Sequence, residues 1–185
     1  MGAPPGRAAV TGCRDGSEEL TAVARLDRAE EDADAILRER VAQLLGLQPS
    51  EVLVGRSCPR CGSSAHGRPW ARGKGRRHEV PVSLSRCGEH LLTAVGGRRP
   101  LGVDLESISA VGRGWDPGLV LHPSERAGAE RAGPREQAAL WAGKEAVLKA
   151  LGTGLGTPMS SLRLADFAVE ALAAPPGHVA ALARL

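Results

Sequence analysis

The pattern of apolar positions in the first part of the chain predicts one helix and one short strand. Between residues 23 and 45, apolar side chains recur at helical spacing and Gly46 follows as a stop, which indicates an amphipathic helix. Residues 52–54 form a short apolar run typical of a strand. Residues 55–77 are rich in Gly, Cys and Arg and are interpreted as a loop.

Further apolar runs, separated by short breaks that contain glycine, predict antiparallel strands at residues 80–84, 91–95 and 101–106. Beyond them the pattern predicts a short helix, a longer helix with Pro134 in its first turn, and two strands, at residues 119–132, 134–151, 162–170 and 178–182. The Gly-Gly-Arg-Arg-Pro segment at 96–100 is the expected junction between two halves.

The chain is therefore expected to have three parts. Residues 1–20 are rich in Gly, Pro and charge and are expected to form a poorly ordered lead-in. The N-terminal half is expected to cover residues 21–97 and the C-terminal half residues 98–185.

The last of the three central runs places two carboxylates on one face of a strand. Side chains alternate along a strand, so Gly102, Asp104 and Glu106 point the same way. Two like charges this close repel each other unless a cation lies between them, and magnesium favours carboxylate oxygens. The alternative is an exposed strand face whose carboxylates meet only solvent.

The long second-half helix presents a carboxylate and an ammonium group together. Glu145 and Lys149 stand four residues apart and so share one face, while Trp141 and Leu148 belong to the packed side. The alternative is an ordinary surface pair, with Trp141 as part of the core.

Composition narrows the classes of function. Hydrophobic residues make up 42% of the chain and can supply a core, but Phe, Trp and Tyr together reach only 2%, which argues against a binder of single-stranded nucleic acid. The net charge of +3 is spread along the chain and fits a small phosphate-bearing ligand better than a DNA duplex. No apolar run has the length of a membrane span and the first residues lack a signal-peptide pattern, so we expect a cytoplasmic protein with reduced cysteines.

Three residues of the predicted loop have the spacing of zinc ligands. Cys58, Cys61 and His66 follow one another closely, and Cys87 or His90 would complete a tetrahedral set. The alternative is a pair of reduced thiols in a surface loop.

The motifs together resemble one family, the 4'-phosphopantetheinyl transferases of the long, surfactin-synthetase-activating type. Gly-x-Asp-x-Glu at 102–106 is followed by Trp-x-x-Lys-Glu-Ala-x-x-Lys at 141–149, and Gly-x-Gly-Leu at 152–155 is similar to the usual ending. Upstream, Cys-x-x-Cys-Gly at 58–62 and His-Gly-Arg-Pro at 66–69 are similar to a segment seen in many members.

The resemblance implies an α+β fold of two similar halves, each with a small antiparallel sheet packed against a long helix, and coenzyme A in the cleft between them. It implies that Asp104, Glu106 and Glu145 hold Mg2+ against the coenzyme A pyrophosphate, while a serine of an acyl or peptidyl carrier protein attacks the β-phosphate. Lys149 would act on the transferring phosphate. Glu145 or a metal-bound water would take the serine proton, and a monomer would suffice.

The resemblance also implies a coenzyme A contact for Arg68 and Ser85. Where long-type members usually carry His, this chain has Arg86, which can still bind a phosphate without titrating. The basic residues expected before the first helix have only Arg25 and Arg28 as candidates. The chain is thus expected to be an active transferase. The first alternative is a weakened relative that binds coenzyme A or a carrier without efficient transfer, and the second is a zinc-stabilised module that binds nucleic acid through residues 56–77.

Overall fold

The computed structural model describes residues 22–129 and 131–185. The lead-in predicted at residues 1–20 lies outside the described residues. The described elements are β1 (Val23–Arg28), α1 (Ala33–Leu45), β2 (Val52–Ser57), β3 (Arg68–Gly73), β4 (Val82–Cys87), β5 (His90–Val95), β6 (Leu101–Ser107), α2 (Ile108–Arg113), α3 (Pro117–Val120), α4 (Pro123–Ala129), α5 (Pro134–Leu151), β7 (Ala168–Leu172) and β8 (His178–Arg184).

The strands form two small antiparallel sheets and one hairpin. The first sheet has the order β1-β5-β4, the second has the order β6-β8-β7, and β2 pairs with β3. Helix α1 packs on the hairpin and the first sheet, whereas α5 packs on the second sheet. The expected α+β fold, with small antiparallel sheets packed against helices, is therefore confirmed. None of the helices in the described segments is long and apolar enough to cross a bilayer.

The first helix is shorter than predicted, because its N-terminal third is a strand. Residues Val23–Arg28 pair with β5, and α1 begins only after Asp32, whose side chain accepts hydrogen bonds from the amides of Asp34 and Ala35. This cap ends the extended segment and starts the helix. The apolar residues of the strand therefore match the helical spacing of α1 only by coincidence.

The predicted loop at 55–77 contains most of a hairpin. Strand β2 continues to Ser57, and β3 pairs with it from Val52 opposite Gly73 to Ser57 opposite Arg68. The sequence Arg-Pro-Trp-Ala-Arg-Gly of β3 has no alternating apolar run, so its strand character comes from pairing with β2 rather than from its own pattern.

In the second half, the predictions for the long helix and the last strand are confirmed. Pro134 occupies the first helical turn of α5, and Gly152, with φ of 75°, ends it in the left-handed conformation. The single helix predicted at 119–132 is wrong, since α3 ends at Val120 and α4 starts at Pro123. The strand predicted at 162–170 begins only at Ala168, and α2, capped by Ser107, was not predicted.

Gly102 allows α5 to lie directly across β6. A methyl group at this position would come within 2.0 Å of the carbonyl oxygen of Ala146 and 2.6 Å of the amide nitrogen of Ala150, both backbone atoms of α5. The close approach brings Glu145 and Lys149 beside the carboxylates of β6. Helix α5 and strand β6 therefore form one unit around Gly102.

Replacing Gly102 with alanine is expected to lower the free energy of unfolding by about 1–3 kcal/mol or more, because two backbone segments must separate to admit the methyl group. Urea unfolding followed by circular dichroism measures the change. Gly114→Ala is the matched control, since an added methyl there meets nothing within 4 Å. Equal stability of the two variants would contradict the close packing of α5 on β6.

Lys144 is fully buried and joins α5 to two other segments. Its ammonium nitrogen lies 2.6 Å from a carboxylate oxygen of Glu125 on α4 and donates to the carbonyl oxygens of Met159, at 3.3 Å, and Leu162, at 2.5 Å. A buried charge is tolerated only when it is paired and hydrogen-bonded in this way. The network fixes α4 and the turns after α5 against that helix.

Candidate active site

Asp104 is the buried centre of a polar cluster at the seam between the two sheets. The residue is only 3% exposed. Its Oδ1 accepts hydrogen bonds from the Ser85 hydroxyl at 2.8 Å and from the Lys149 ammonium at 2.6 Å. Its Oδ2 is also buried but has no hydrogen-bond partner within the described part of the chain. Oδ1 thus has two protein donors, whereas Oδ2 has none among the described residues.

Strand β4 supplies the wall of the cluster that comes from the first sheet. Ser83, Ser85 and Cys87 share one face of β4, and the Ser83 hydroxyl accepts a hydrogen bond from the amide of Val103 at 3.1 Å. Strands β4 and β6 belong to different sheets, so these side-chain contacts join the two sheets. The position of Asp104 therefore depends on both.

Glu106 lies in an unfavourable environment for a negative charge. Burial, and next the charge of Asp104, raise the pKa of Glu106 to about 7, with Glu145 adding to the increase. The nearby Lys149 and a hydrogen bond from Trp141 act against this increase in pKa without cancelling it. The carboxyl group is therefore close to half protonated near neutral pH in the absence of further positive charge.

Glu145 of α5 faces the same group of charges. Burial, followed by repulsion from Asp104, raises the pKa of Glu145, although Lys149 opposes the change. Burial and the charges of Glu106 and Asp104 likewise raise the pKa of the Cys87 thiol. The three carboxylates thus lie near the ammonium of Lys149, and a further cation would relieve their mutual repulsion.

The carboxylates fit a magnesium ion. Asp104 offers a buried oxygen that no described residue hydrogen-bonds, and the carboxylate oxygens are hard donors of the type magnesium prefers. Within the described ranges, the metal-capable side chains whose ligand atoms all lie within 4.8 Å of one another are Cys58, Cys61 and His66, so the carboxylate oxygens are more widely spread. A magnesium ion would complete its coordination with water and substrate oxygens, as it commonly does.

The alternative of a solvent-exposed strand face is wrong for Asp104, and Glu145 and Lys149 are not an ordinary surface pair, whereas the alternative that made Trp141 part of the core agrees with its packing. The strand face that carries Asp104 is buried rather than exposed to solvent. Lys149 pairs with Asp104 across the helix-sheet interface, and the pair is buried at the Asp104 end, with 4% of that side chain exposed. Leu148 is buried as expected and Trp141 is partly buried against the core.

Arg68 lies near the helix that carries Glu145 and Lys149. It is the first residue of β3, and its side chain is exposed. One of its terminal nitrogens would be 2.7 Å from a methyl group built on Gly152, immediately after α5. The structure therefore brings Arg68 to the C-terminal end of the helix, about one turn beyond Lys149.

Arg86 is not brought to the carboxylates. It points to the opposite face of β4 from Ser85, and its guanidinium donates to the carbonyl oxygens of Ala29, at 3.3 Å, and Glu31, at 3.2 Å. Arg25 and Arg28 lie on β1, the edge of the first sheet remote from β4. A phosphate contact for these arginines stays a prediction.

Sequence reasoning missed three supporting residues. Ser83 holds β6 against β4, Trp141 acts against the increase in the pKa of Glu106, and Lys144 anchors α5. The motif letters contained Trp141 and Lys144, but no signal in a single sequence says that a lysine is buried. Ser83 could have been suspected, because it precedes Ser85 by two positions and so shares its face of the strand.

The three residues with the spacing of zinc ligands, Cys58, Cys61 and His66, lie close together in the structure. The Cys61 sulfur lies 3.4 Å from Nε2 of His66, and Cys58 is buried beside them. The suggested fourth ligands, Cys87 and His90, are not part of this group, because they lie on β4 and β5; the His90 ring packs against that of His178 instead.

Magnesium binding is expected to strengthen as the pH rises through about 7, because the metal competes with the proton on Glu106. The pKa of Glu106 is raised above its ordinary value of 4.5, so its contribution to stability is fully present below pH 4.5 and is lost as the pH rises through about 7. The metal-free protein should therefore melt at a lower temperature at pH 8 than at pH 5, and magnesium should restore the loss.

Thermal melts with and without magnesium measure this effect, and Glu106→Gln is the control. The variant should melt with a weaker pH dependence and a smaller magnesium shift. Asp104, Glu145 and Lys149, whose charges face Glu106, are unchanged in the variant, so the difference between the two proteins comes from residue 106. A wild-type magnesium shift that is equal at pH 5 and pH 8 would contradict the expectation.

Two comparisons with known proteins bear on the site. Residues 100–180 match the family model described as the 4'-phosphopantetheinyl transferase superfamily. A protein of Bacillus subtilis named "4'-phosphopantetheinyl transferase" is 26% identical to this chain over 157 residues. That match covers 78% of this chain and 62% of the relative, so the chain spans less than two thirds of that protein's length. The matched segment of the family model contains Asp104, Glu106, Glu145 and Lys149.

Proposed function

We propose that this chain transfers the 4'-phosphopantetheine group of coenzyme A to a serine of an acyl or peptidyl carrier protein, because residues 100–180 match the model of the 4'-phosphopantetheinyl transferase superfamily. The second product is adenosine 3',5'-bisphosphate. The observation that carries the proposal is the buried Oδ2 of Asp104, which has no hydrogen-bond partner in residues 22–129 and 131–185, beside two carboxyl groups with raised pKa values. A cytoplasmic, monomeric enzyme of polyketide, nonribosomal peptide or fatty acid synthesis is part of the proposal.

Asp104, Glu106 and Glu145 would hold Mg2+ in this enzyme. Bound there, the ion supplies charge neutralisation at the pyrophosphate and alignment of the reacting oxygens. Ser85 and Lys149 hold the Asp104 carboxylate through Oδ1, which would leave Oδ2 to bind the metal. This division of the two oxygens is a physical reason for having both a serine and a lysine at the site.

Lys149 and Glu145 are the residues we assign to the chemistry. The side chain of Lys149 is 28% exposed, so its ammonium can contact a phosphate while it remains paired with Asp104. Glu145 is a partly buried carboxylate on the same helix as Lys149, and either this carboxylate or a metal-bound water would accept the proton of the carrier serine. Arg68 at the end of α5 would contact the phosphates of coenzyme A.

Intact-mass spectrometry of an apo carrier protein tests the proposal. Incubation with this chain, coenzyme A and magnesium should add the mass of one phosphopantetheine group per carrier, and removal of magnesium with a chelator should abolish the addition. No mass gain on carriers from fatty acid, polyketide and nonribosomal peptide synthesis would overturn transferase activity on those carriers.

A weakened relative is the second candidate, because Arg86 uses its guanidinium on backbone carbonyls of residues 29 and 31. Calorimetric titration with coenzyme A separates the two candidates. Binding without transfer supports the weakened relative, whereas transfer with the expected mass gain excludes it. Substituting Arg86→His would then show whether the residue found in long-type members restores transfer.

A further inference from the structure

We propose that Cys58, Cys61 and His66 bind a zinc ion, and that this ion fixes the loop that presents Arg68 at the end of helix α5. The first part concerns a metal site separate from the carboxylates. The second part rests on the proposed function, since it assigns Arg68 a role in binding coenzyme A.

The loop is closed at its base by the hairpin. Residues 58–67 connect β2 to β3, and the last pair of the ladder joins Ser57 to Arg68. The ion would therefore lie directly next to the residue whose position it is proposed to control. A cross-link in a loop of this kind restricts its conformations and so favours the ordered form.

The backbone around Cys58 already has the form of a turn around a ligand. The amide of Gly62 donates to the carbonyl oxygen of Cys58 at 2.8 Å, and the amide of Cys58 donates to the carbonyl oxygen of Ser63 at 3.0 Å. Gly62 has φ of 71°, a conformation that favours glycine.

Gly67 brings the histidine back to the first cysteine. Its φ is 104°, and a methyl group there would lie 2.4 Å from the carbonyl oxygen of Ser57 and 2.6 Å from the backbone of Cys58. Only a glycine fits this approach, and it sets His66 beside the two cysteines. The ligand atoms of all three residues consequently lie within 4.8 Å of one another.

The donor set selects zinc over magnesium. Two thiolates and one imidazole are the soft and borderline ligands typical of zinc, whereas magnesium requires oxygen donors. The three ligands leave a fourth tetrahedral position, and because Cys61 and His66 are exposed, water can occupy it. The two proposed metal sites would thus differ in their ligands, with oxygen donors for magnesium and sulfur and nitrogen donors for zinc.

The consequence for Arg68 follows from its place in the chain. It comes directly after Gly67, and its guanidinium lies against Gly152 at the end of α5. Loss of the ion would free residues 58–67 and with them the first residue of β3. Arg68 would then reach the ligand cleft less often, and coenzyme A would bind more weakly.

Metal analysis of the full chain, purified without a histidine tag, tests the zinc site. We expect about one zinc per chain by mass spectrometry of the metals, and loss of most of it in Cys61→Ser and His66→Ala. These side chains are exposed, so their replacement leaves the core intact. The control variant Cys87→Ser replaces a thiol outside this group, so the protein should retain its zinc. Cobalt in place of zinc should give a thiolate charge-transfer band that Cys61→Ser lacks.

A wild-type chain that takes up no zinc after reduction and zinc addition would overturn the site, as would full zinc content in both variants. A disulfide between Cys58 and Cys61 in freshly purified protein that persists under reducing conditions would also overturn it. None of these measurements depends on transferase activity, so the zinc site and the proposed function can fail separately.

Calorimetric binding of coenzyme A tests the role of Arg68. Arg68→Ala and Cys61→Ser should each weaken binding about tenfold, and the double variant should be no weaker than either one, because both act through the same contact. Chelation of zinc should reproduce the effect in the wild type but not in Arg68→Ala. Unchanged binding in Cys61→Ser, with zinc shown to be absent, would overturn the positioning role.

Discussion

Asp104→Asn is expected to lower kcat/KM for phosphopantetheine transfer by about 100-fold or more, because substitutions merely adjacent to metal ligands already cost about 10- to 100-fold. Asparagine has the shape of aspartate, and its oxygen can still accept from Ser85 and Lys149 at the Oδ1 position. The amide nitrogen replaces Oδ2, which has no hydrogen-bond partner among the residues that the structure describes. The substitution therefore removes the proposed metal ligand and preserves the packing.

The matched control is Asp166→Asn. Asp166 pairs with Arg163 on the surface, where about half of each side chain is exposed, and the change should leave transfer within about twofold of the wild type. Melting temperatures of the variants report whether each is folded, and magnesium titration reports the metal site. Normal transfer by a folded Asp104→Asn protein would refute the assignment of Asp104, whatever the fate of the family assignment.

The parts of the fold that could be predicted are those whose pattern is local. Strand β6 alternates apolar with polar residues, and α5 has helical spacing between a first-turn proline and a terminal glycine. These two elements carry Asp104, Glu106, Glu145 and Lys149, so the residues of the candidate site could be named from the sequence without their arrangement in space. Their mutual geometry depends on Gly102, whose importance is visible only once the backbone of α5 is seen against it.

The elements that were missed take their structure from a partner. Strand β3 has an arginine at each side of Pro-Trp-Ala and gains its extended form by pairing with β2. Strand β1 was merged into a helix because its apolar residues happen to continue the spacing of α1. In both cases tertiary pairing overrides the local pattern, which a single sequence does not record.

The sequence analysis also did not predict which way the side chains of Ser85 and Arg86 point. Ser85 and Arg86 were both assigned to coenzyme A, yet neighbouring residues on a strand face opposite ways. The structure places Ser85 on Asp104 and turns Arg86 toward Ala29 and Glu31. An argument from alternation could have predicted that only one of the two lies beside the carboxylates.

Glu125→Ala is expected to lower the free energy of unfolding by about 3–5 kcal/mol, because it leaves the ammonium of Lys144 buried without a counter-charge. The Glu125 carboxylate also accepts from the amides of Leu164 at 2.7 Å and His122 at 2.9 Å, so the alanine variant loses partners for these as well. Burial acts to raise the pKa of Glu125, but the hydrogen bonds from Lys144 and the two amides outweigh it and lower the pKa below its ordinary value of 4.5.

The sign of the pH dependence provides a second test of this ion pair. A carboxyl with a lowered pKa contributes stability that is present above pH 4.5 and lost as the pH falls below it. The wild type should therefore lose more stability than Glu125→Ala between pH 5 and pH 3 in urea unfolding.

The matched control for Glu125→Ala is Glu170→Ala, which breaks an exposed pair with Arg184 and should cost about 1 kcal/mol or less. If Glu125→Ala and Glu170→Ala lowered the free energy of unfolding equally, the ammonium of Lys144 would be hydrated. A buried charge would then not anchor α5.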